Sequence, residues 1–226
     1  MKVNPEMKKF IKNSKLSYRN IIEDTNKKFK IKLAKSTISY YRRSRDRLVK
    51  LNIDNVDQKD MDWLKGFFVA DGCKFIERKY RYVIKFALDI KNDKEILEKL
   101  AGILKQFGCR FSIRNDNSII VVRIYSKMLF YILPTKNTAF VPRDPCAFLA
   151  GLIDGDGHKK GNSAVLVQYK NLQMMKHLSN LFGLKGSAFR VRTNYGNALR
   201  REYYIPRNIC DSIRQLSVKL NNNNNR

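Results

Sequence analysis

The sequence predicts an α+β protein with two pseudo-symmetric halves, each in the order αββαββα, preceded by a small helical segment. Three observations lead to this prediction. An apolar stretch of ten residues, 63–72, is repeated in layout at residues 148–157. Each copy is followed by the same succession of strand-like and helix-like patterns. A basic segment with helical signals, residues 1–55, lies ahead of the first copy.

In the N-terminal segment, Ser17 is expected to cap a helix that continues through Glu23. A second helical pattern, residues 34–43, has small polar residues first, then Ile38 as an apolar anchor, then aromatic residues and arginines. This pattern resembles the recognition helix of the helix-turn-helix modules in resolvases and transposases. An ordinary basic amphipathic helix is the alternative. The residues expected to enter a DNA groove here are Ser36, Thr37, Tyr40, Arg42 and Arg43.

The two repeated stretches predict a pair of helices that cross closely. The first copy has Gly66 and Ala70 four residues apart, and the second has Gly151 and Gly155 at the same spacing. Small residues four apart form a smooth stripe on a helix, where another backbone can approach. The bulky residues of each copy would then point away from the crossing into two separate cores.

Each stretch ends in an acid followed by glycine. Gly72 and Gly157 are expected to end the helices in the left-handed conformation. This leaves Asp71 and Asp156 on the last turn, where the helix dipole disfavours a negative charge. Two acids that also repel each other predict a divalent metal ion, because carboxylate oxygens are its natural ligands. Asp154 points roughly 200° away from Asp156 on a helix and is expected to be structural.

The remaining elements repeat in the same order after each copy. After the first copy, the pattern predicts a strand-like region, a helix, two strands and a closing helix, at residues 75–88, 93–107, 110–114, 119–125 and 126–133. After the second copy, it predicts the same kinds of element at residues 164–170, 172–182, 189–192, 203–205 and 208–220. With residues 135–146 as connector, the expected domains are residues 1–55, 56–140 and 141–226.

Composition favours nucleic acid as the partner. The chain has 226 residues and a formal net charge of +26, so a polyanion is expected. A membrane is not expected as partner, because no apolar run approaches the roughly 20 residues of a spanning helix. The four cysteines are scattered without C-x-x-C spacing, which indicates reduced thiols rather than a zinc site or disulfides. The N-terminus lacks an apolar signal core, so a cytoplasmic location, with an organelle also open, is expected.

The two acidic stretches resemble a known family. Residues 149–157 are LAGLIDGDG, and residues 64–72, LKGFFVADG, keep the glycine, the small residue and the terminal Asp-Gly. This pair resembles the signature of single-chain LAGLIDADG homing endonucleases with two motif copies. The resemblance implies a saddle of antiparallel sheets. It also implies a monomer that cleaves one phosphodiester on each strand of double-stranded DNA with a long recognition site.

The same resemblance implies the site residues. Asp71 and Asp156 would hold Mg²⁺ together with the small residues that precede them, Ala70 and Gly155. Mn²⁺ would be able to substitute, and Ca²⁺ would bind without supporting cleavage.

Three further residues are implied as catalytic. Lys74 and Lys159 stand three residues after each acid, where family members have basic or polar residues that organise water or charge. Gln168 lies on a strand where family members carry glutamine, and its counterpart near residues 89–90 differs. His158 is a weaker candidate, more a phosphate neighbour than a general base, because the first copy has Cys73 there.

Basic side chains interleave with apolar ones along the predicted strands, and they are expected to face DNA in the major groove. An ordinary solvated surface is the alternative for any one of them. The expected contacts are Lys79, Arg81, Lys85, Arg110, Arg114, Arg123, Arg190, Arg192, Arg200 and Arg201.

Two other functions remain open at this point. The chain could be a DNA-binding regulator descended from such an enzyme, although regulators of this kind often lose their acids and both remain here. It could also be an RNA-binding intron maturase, because a high basic charge does not separate DNA from RNA.

Overall fold

The structure is a computed structural model, and it describes residues 3–43, 56–78, 80–135, 141–168, 172–193 and 196–222. The chain divides into two compact units, Met1–Val49 and Lys50–Arg226. The domain boundaries predicted after residues 55 and 140 adjoin residues outside the described ranges, and they stay predictions.

The first unit is a bundle of three short helices, α1 (Pro5–Asn13), α2 (Tyr18–Phe29) and α3 (Lys35–Arg43). Ser17 caps α2 as predicted, because its side chain accepts a hydrogen bond from the Asn20 backbone N–H at 3.2 Å. One small core lies between the helices and consists of buried aliphatic residues. These are Met7, Ile11, Ile21, Leu33 and Ile38.

The second unit contains both halves. The first half consists of α4 (Gln58–Asp71), β1 (Gly72–Glu77), β2 (Arg81–Asp89), α5 (Lys94–Gln106), β3 (Phe111–Asp116), β4 (Ile119–Tyr125) and α6 (Lys127–Ile132). The second half consists of α7 (Pro145–Asp156), β5 (Gly157–Lys160), β6 (Ser163–Gln168), α8 (Leu172–Phe182), β7 (Lys185–Thr193), β8 (Gly196–Ile205), α9 (Arg207–Ile213) and α10 (Val218–Asn221). The predicted α+β class and the repeated αββαββα order are confirmed.

One predicted element is wrong in detail. Residues 208–220 do not form one helix, because α9 tightens into the 3-10 turn Arg214–Leu216 and a separate α10 begins after Ser217. The Ser217 side chain accepts a hydrogen bond from the Leu220 backbone N–H at 3.2 Å, which is the bond of an N-cap. The chain therefore restarts a helix there instead of continuing one.

Each half has an antiparallel sheet of four strands with the same topology. The strand orders are β1-β2-β4-β3 and β5-β6-β8-β7, so the fourth strand of each half lies between the second and the third. Bulky residues of α4, among them Phe67 and Phe68, pack into the first core, whereas Leu149 and Leu152 of α7 pack into the second. The predicted division of the two helices between separate cores is confirmed. Within the described ranges, no helix combines the length and the apolar character needed to cross a bilayer.

Candidate functional site

Helices α4 and α7 cross with their backbones in contact. A Cβ placed on Gly66 would lie 2.1 Å from the Phe148 carbonyl oxygen, and one on Gly151 would lie 2.1 Å from the Trp63 carbonyl oxygen. Carbon and oxygen atoms cannot approach that closely, so only glycine fits at either position. The predicted crossing of two small-residue stripes is confirmed.

The crossing brings the two acidic helix ends together. A Cβ on Gly155 would lie 2.3 Å from the Ala70 Cβ and 3.2 Å from Asp71 Oδ2. The Asp71 carboxylate therefore lies beside the residue that precedes Asp156. Both aspartates are partly exposed, and both are the last residues of their helices. Neither helix has a basic residue in its last turn to offset the acids.

The glycines after the acids are required for a different reason from the predicted one. Gly72 and Gly157 are extended, with φ of −82° and −92°, and not left-handed. At both places the chain passes directly from helix into strand, so the residue after the acid must be extended. A Cβ on Gly72 would lie 2.6 Å from the Phe68 carbonyl oxygen, and one on Gly157 would lie 2.7 Å from the Ile153 carbonyl oxygen. Glycine is needed there for space.

Asp154 is a structural residue, as expected. Its side chain is buried and accepts hydrogen bonds from Trp63 Nε1 at 2.8 Å and Ser217 Oγ at 2.6 Å. It also accepts from the backbone N–H groups of Val218 at 3.0 Å and Lys219 at 2.9 Å. Asp154 thus fixes the N-terminus of α10 and joins it to a residue of α4.

Gln168 lies at the site, although its counterpart differs from the expected one. Its side-chain amide is buried and donates a hydrogen bond to Asp156 Oδ2. Gly157 pairs with Leu166 and Gly72 pairs with Phe86, so the position that matches Gln168 is residue 88 rather than residues 89–90. Leu88 is buried and apolar, and only the second half therefore has an amide at this place.

Lys74 and Lys159 have the same structural role in the two halves. Lys74 Nζ donates to the carbonyl oxygens of Phe130 at 2.7 Å and Leu133 at 2.6 Å, at the end of α6. Lys159 Nζ donates to the Asn222 carbonyl oxygen at 2.9 Å, at the end of α10. Burial lowers the pKa of Lys74. Each lysine ties the first strand of its half to the C-terminus of the closing helix, which satisfies unpaired carbonyls. Their catalytic role stays a prediction.

Sequence reasoning missed Lys219. Its Nζ donates to the Gly155 carbonyl oxygen at 2.7 Å and to the Gly157 carbonyl oxygen at 3.0 Å. One ammonium group therefore binds both of the residues that flank Asp156 in the chain. No sequence signal could have found it, because Lys219 is 63 residues away in the chain from Asp156 and its place depends on α10.

The side chains suit a hard divalent ion. Mg²⁺ is usually held by one or two carboxylates, with waters and substrate phosphates as its other ligands. Asp71 and Asp156 offer two such carboxylates at the ends of two helices that cross closely. In the described part of the chain, no three His, Cys, Asp or Glu residues gather into a group that could hold a metal without substrate. An ion at this place would therefore need ligands beyond the protein side chains.

The first sheet has one basic face. Ile120, Val122 and Ile124 of β4 face the core, so Arg123 between them faces outward. Lys85 pairs with Arg123 across the strands and shares that outer face. Strand alternation places two more of the predicted residues there, Arg81 and Arg114. Arg110 is exposed one residue before β3.

The second sheet does not have one arginine face as predicted. Arg200 and Arg201 are consecutive on β8, so they point to opposite faces. Arg201 shares the face of the buried Tyr203, and the pairing of β7 with β8 places Arg190 on that same face. Arg200 lies on the other face with Glu202, with which it forms an ion pair.

In the first unit, the residues predicted to enter a groove differ in their surroundings. Ser36 and Tyr40 are exposed on α3, Thr37 is partly exposed, and Ile38 is buried on the opposite side. Arg42 instead donates to the Ser14 carbonyl oxygen at 3.0 Å within the same unit. Residue 79 and the side chains of Arg43 and Arg192 lie outside what the structure describes.

Comparison with known proteins gives a family match for the first half. Residues 58–133 match the LAGLIDADG-like domain family. The crystal structure of I-DmoI in complex with DNA and Ca has the same fold, with a TM-score of 0.54 and 15% identity over 71% of this chain and 92% of that chain. Mesophilic variants of the homing endonuclease I-DmoI match with a TM-score of 0.53 and 14% identity, over 71% of this chain and 96% of theirs.

One curated protein is related in sequence to part of the chain. This relative, a subunit of the A-type ATP synthase of Methanopyrus kandleri, is 28% identical over 115 residues, which is 48% of this chain. The matched part spans 11% of the length of that relative. The LAGLIDADG fold is thus established for this chain by its domain match and its structural neighbours.

Proposed function

We propose that the protein is a site-specific DNA endonuclease that hydrolyses one phosphodiester on each strand of a duplex, with a divalent metal ion at Asp71 and Asp156. The observation that supports this most is the position of the Asp71 carboxylate, 3.2 Å from where a Cβ on Gly155, the residue before Asp156, would lie. Two acids at adjoining helix C-termini oppose both helix dipoles and repel each other. Such an arrangement costs stability, and a function at this place explains it.

In this proposal, Asp71 and Asp156 would hold a divalent ion with the carbonyl groups of Ala70 and Gly155, with Mg²⁺ as the expected ion and Mn²⁺ as a substitute. The ion would supply stabilisation of the charge on the attacking and the leaving oxygen. The Gln168 amide donates to one oxygen of Asp156 and so fixes how that carboxylate is turned. Ca²⁺ binds without supporting cleavage.

The partner in this proposal is double-stranded DNA. The outer face of the first sheet, with Arg81, Lys85, Arg114 and Arg123, supplies phosphate contacts, and the net charge of +26 supplies a salt-dependent attraction. One chain carries both aspartates, so the protein acts as a monomer. The four cysteines are free thiols, which suits a reducing compartment inside the cell.

Cleavage assays with two matched variants test the proposal. The substrates are DNA that flanks the gene itself and a pool of random duplexes from which the protein selects its ligands. Asp71→Asn and Asp156→Asn should each lower double-strand cleavage in Mg²⁺ by about 100-fold or more, because each removes a metal ligand. Both variants should retain binding in a mobility-shift assay.

Glu98→Gln is the control, because Glu98 is an exposed carboxylate on α5 of the first half. It should cleave like wild type. Cleavage by the two Asn variants at the wild-type rate would overturn the proposal. So would a wild-type protein that leaves its selected DNA uncut in both Mg²⁺ and Mn²⁺.

A DNA-binding regulator is the second candidate, and one contact favours it. The Lys219 ammonium group already occupies a lone pair of the Gly155 carbonyl oxygen, which the endonuclease would use for metal. A regulator would bind the selected DNA equally well with and without metal, and it would leave that DNA uncut.

A further inference from the structure

We infer that the first unit carries a DNA-binding surface of its own, in which the outer face of α3 meets the major groove of a duplex and the lysines beside it meet phosphates. This surface adds to the basic face of the first sheet. Its duplex partner is that of the proposed function, but binding here requires neither the metal ion nor cleavage.

Positive charge is concentrated in one part of the first unit. Residues 27–43, from the end of α2 through α3, contain seven lysines and arginines and no acid. The three acids among the described residues of the unit lie on α1 and α2 instead. Glu6 and Glu23 form ion pairs with Lys28 and Arg19, at 3.7 Å and 3.2 Å. The excess of positive charge around α3 therefore stays uncompensated within the sequence of this segment, and it suits the phosphates of a nucleic acid.

The outer face of α3 is neutral and rich in hydroxyl groups. Ile38 is buried in the core of the unit, and Ser36 and Tyr40 each lie two residues from it in the chain. Two residues correspond to about 200° around a helix, so both side chains point away from the core. Both are exposed, and Thr37 and Ser39 beside them are partly exposed. This face thus presents four hydroxyl groups, which can donate to and accept from the edges of bases.

Cations border this face on the side of α2. A groove of about 490 Å³ lies between α2 and the start of α3, and Lys32 and Lys35 line it. Lys35 Nζ lies 5.7 Å from the centre of the Tyr18 ring, which holds the ammonium group beside α2. The other two charged residues of the groove, Arg19 and Glu23, pair with each other. Neutral hydroxyls next to exposed cations match a duplex, whose base edges lie in a groove bordered by phosphates.

A DNA duplex suits this surface better than other polyanions do. An α-helix with its side chains is about 10–12 Å across, and the major groove of DNA is about 12 Å wide. The major groove of duplex RNA is too narrow for side chains to read. An anionic membrane would require a broad apolar face. Among the described residues of this unit, the large apolar side chains that are exposed are Leu16, which precedes α2, and Tyr40 of α3, so no such face exists there.

Binding measurements on the full chain test this surface. The probe is a duplex that the protein selects from a random pool, and fluorescence anisotropy without metal gives its affinity at several salt concentrations. Lys32→Gln/Lys35→Gln should reduce the slope of log affinity against log salt by about 1.8, because each phosphate contact contributes about 0.9. At about 0.1 M salt, the same variant should bind about tenfold more weakly or worse.

A second variant separates base contacts from phosphate contacts. Ser36→Ala/Tyr40→Ala removes hydroxyl groups and no charge, so its salt slope should stay within about 0.5 of wild type. A selection repeated with this variant should give a shorter preferred sequence, because the contacts that read bases are gone.

Two control variants make the result specific. Lys9→Gln/Lys105→Gln removes the same number of positive charges from exposed positions on α1 and α5. It should leave the affinity within about twofold and the slope within about 0.5 of wild type. Lys32→Arg/Lys35→Arg keeps both cations and should behave like wild type. Circular dichroism of each variant checks that the fold is retained.

Three results would overturn the inference. These are equal salt slopes for Lys32→Gln/Lys35→Gln and Lys9→Gln/Lys105→Gln, an unchanged selected sequence for Ser36→Ala/Tyr40→Ala, and a duplex RNA of the selected sequence that binds as tightly as the DNA. A wild-type protein that shows the expected contacts but leaves the selected DNA uncut would refute the endonuclease alone. Cleavage together with any of the three results would refute this surface alone.

Discussion

Replacing Gly151 with alanine should destabilise the unit that contains both halves. The added Cβ would lie 2.1 Å from the Trp63 carbonyl oxygen and 2.8 Å from the Phe67 backbone nitrogen. Both atoms belong to the backbone of α4, so no side-chain rotation can relieve the clash. Helices α4 and α7 would have to separate along the crossing that joins the two cores.

The size of the effect follows from two opposing terms. Overpacking costs about 1–3 kcal/mol where side chains can adjust, and a backbone clash belongs at the top of that range or above it. Alanine in a helix gains about 1 kcal/mol over glycine. The net loss is therefore about 2 kcal/mol or more, which lowers the melting temperature of a unit of this size by about 4–8 °C.

Gly102→Ala is the matched control. Gly102 lies on α5, and a Cβ there would meet no atom within 4 Å, so only the helix gain of about 0.5–1 kcal/mol remains. Urea titration and thermal melts followed by the fluorescence of Trp63, which lies at the crossing, measure both variants. If Gly151→Ala proves as stable as Gly102→Ala, the backbone contact between the two helices is wrong.

Four further predictions concern other parts of the chain. Asp154→Ala should lower the free energy of unfolding by about 3–5 kcal/mol, because it leaves four buried or partly buried donors without their acceptor, and a urea titration that finds less than about 1 kcal/mol would contradict this. Burial raises the pKa of the Cys109 thiol to about 12, so the folded thiol stays protonated while the unfolded thiol, with a pKa of about 8.5, ionises. The stability that Cys109 contributes is therefore complete below about pH 8 and is lost as the pH rises toward 12, and Cys109→Ala should have a flatter alkaline stability profile than wild type. A thiol reagent at pH 8 should label the exposed Cys73 in the native protein well before Cys109, and equal rates would contradict the burial. Residues 50–226 expressed alone should give a cooperative melt, because that unit has its own cores, and a molten product would show that it needs the first unit.

The features that the sequence predicted correctly are those that local spacing determines. Gly66 and Gly151 stand at the same place in two similar stretches, and helical periodicity alone then predicts a smooth stripe on each helix. The inward direction of Asp154, away from Asp156, follows from the same periodicity. The two-residue period of a strand also predicts that Arg200 and Arg201 lie on opposite faces, because neighbours on a strand point in opposite directions.

Other features depend on contacts between distant parts of the chain. Lys219 reaches Gly155 only because the chain breaks its last helix at Ser217, and the break depends on a buried carboxylate 63 residues earlier. Likewise, the sequence predicted a left-handed helix end at Gly72. The structure instead requires glycine there because a Cβ would collide with Phe68 of the same helix. Local propensity does not contain this information.

The seam between α4 and α7 has a consequence for how such proteins diversify. At Gly66 and Gly151, each helix contacts main-chain atoms of the other, and main-chain atoms are the same in every sequence. The seam therefore recognises shape and not side-chain identity, so a half with a glycine at this place can be recombined with a foreign half. Two bonds across the seam do depend on side chains: Trp63 with Asp154, and the Asp62 carboxylate with the Asp144 backbone N–H. Suppose that the second half, which carries Asp154, is joined to a first half that has no tryptophan at the position of Trp63. The hydrogen bond between these two positions would then be lost at the centre of the interface between the halves.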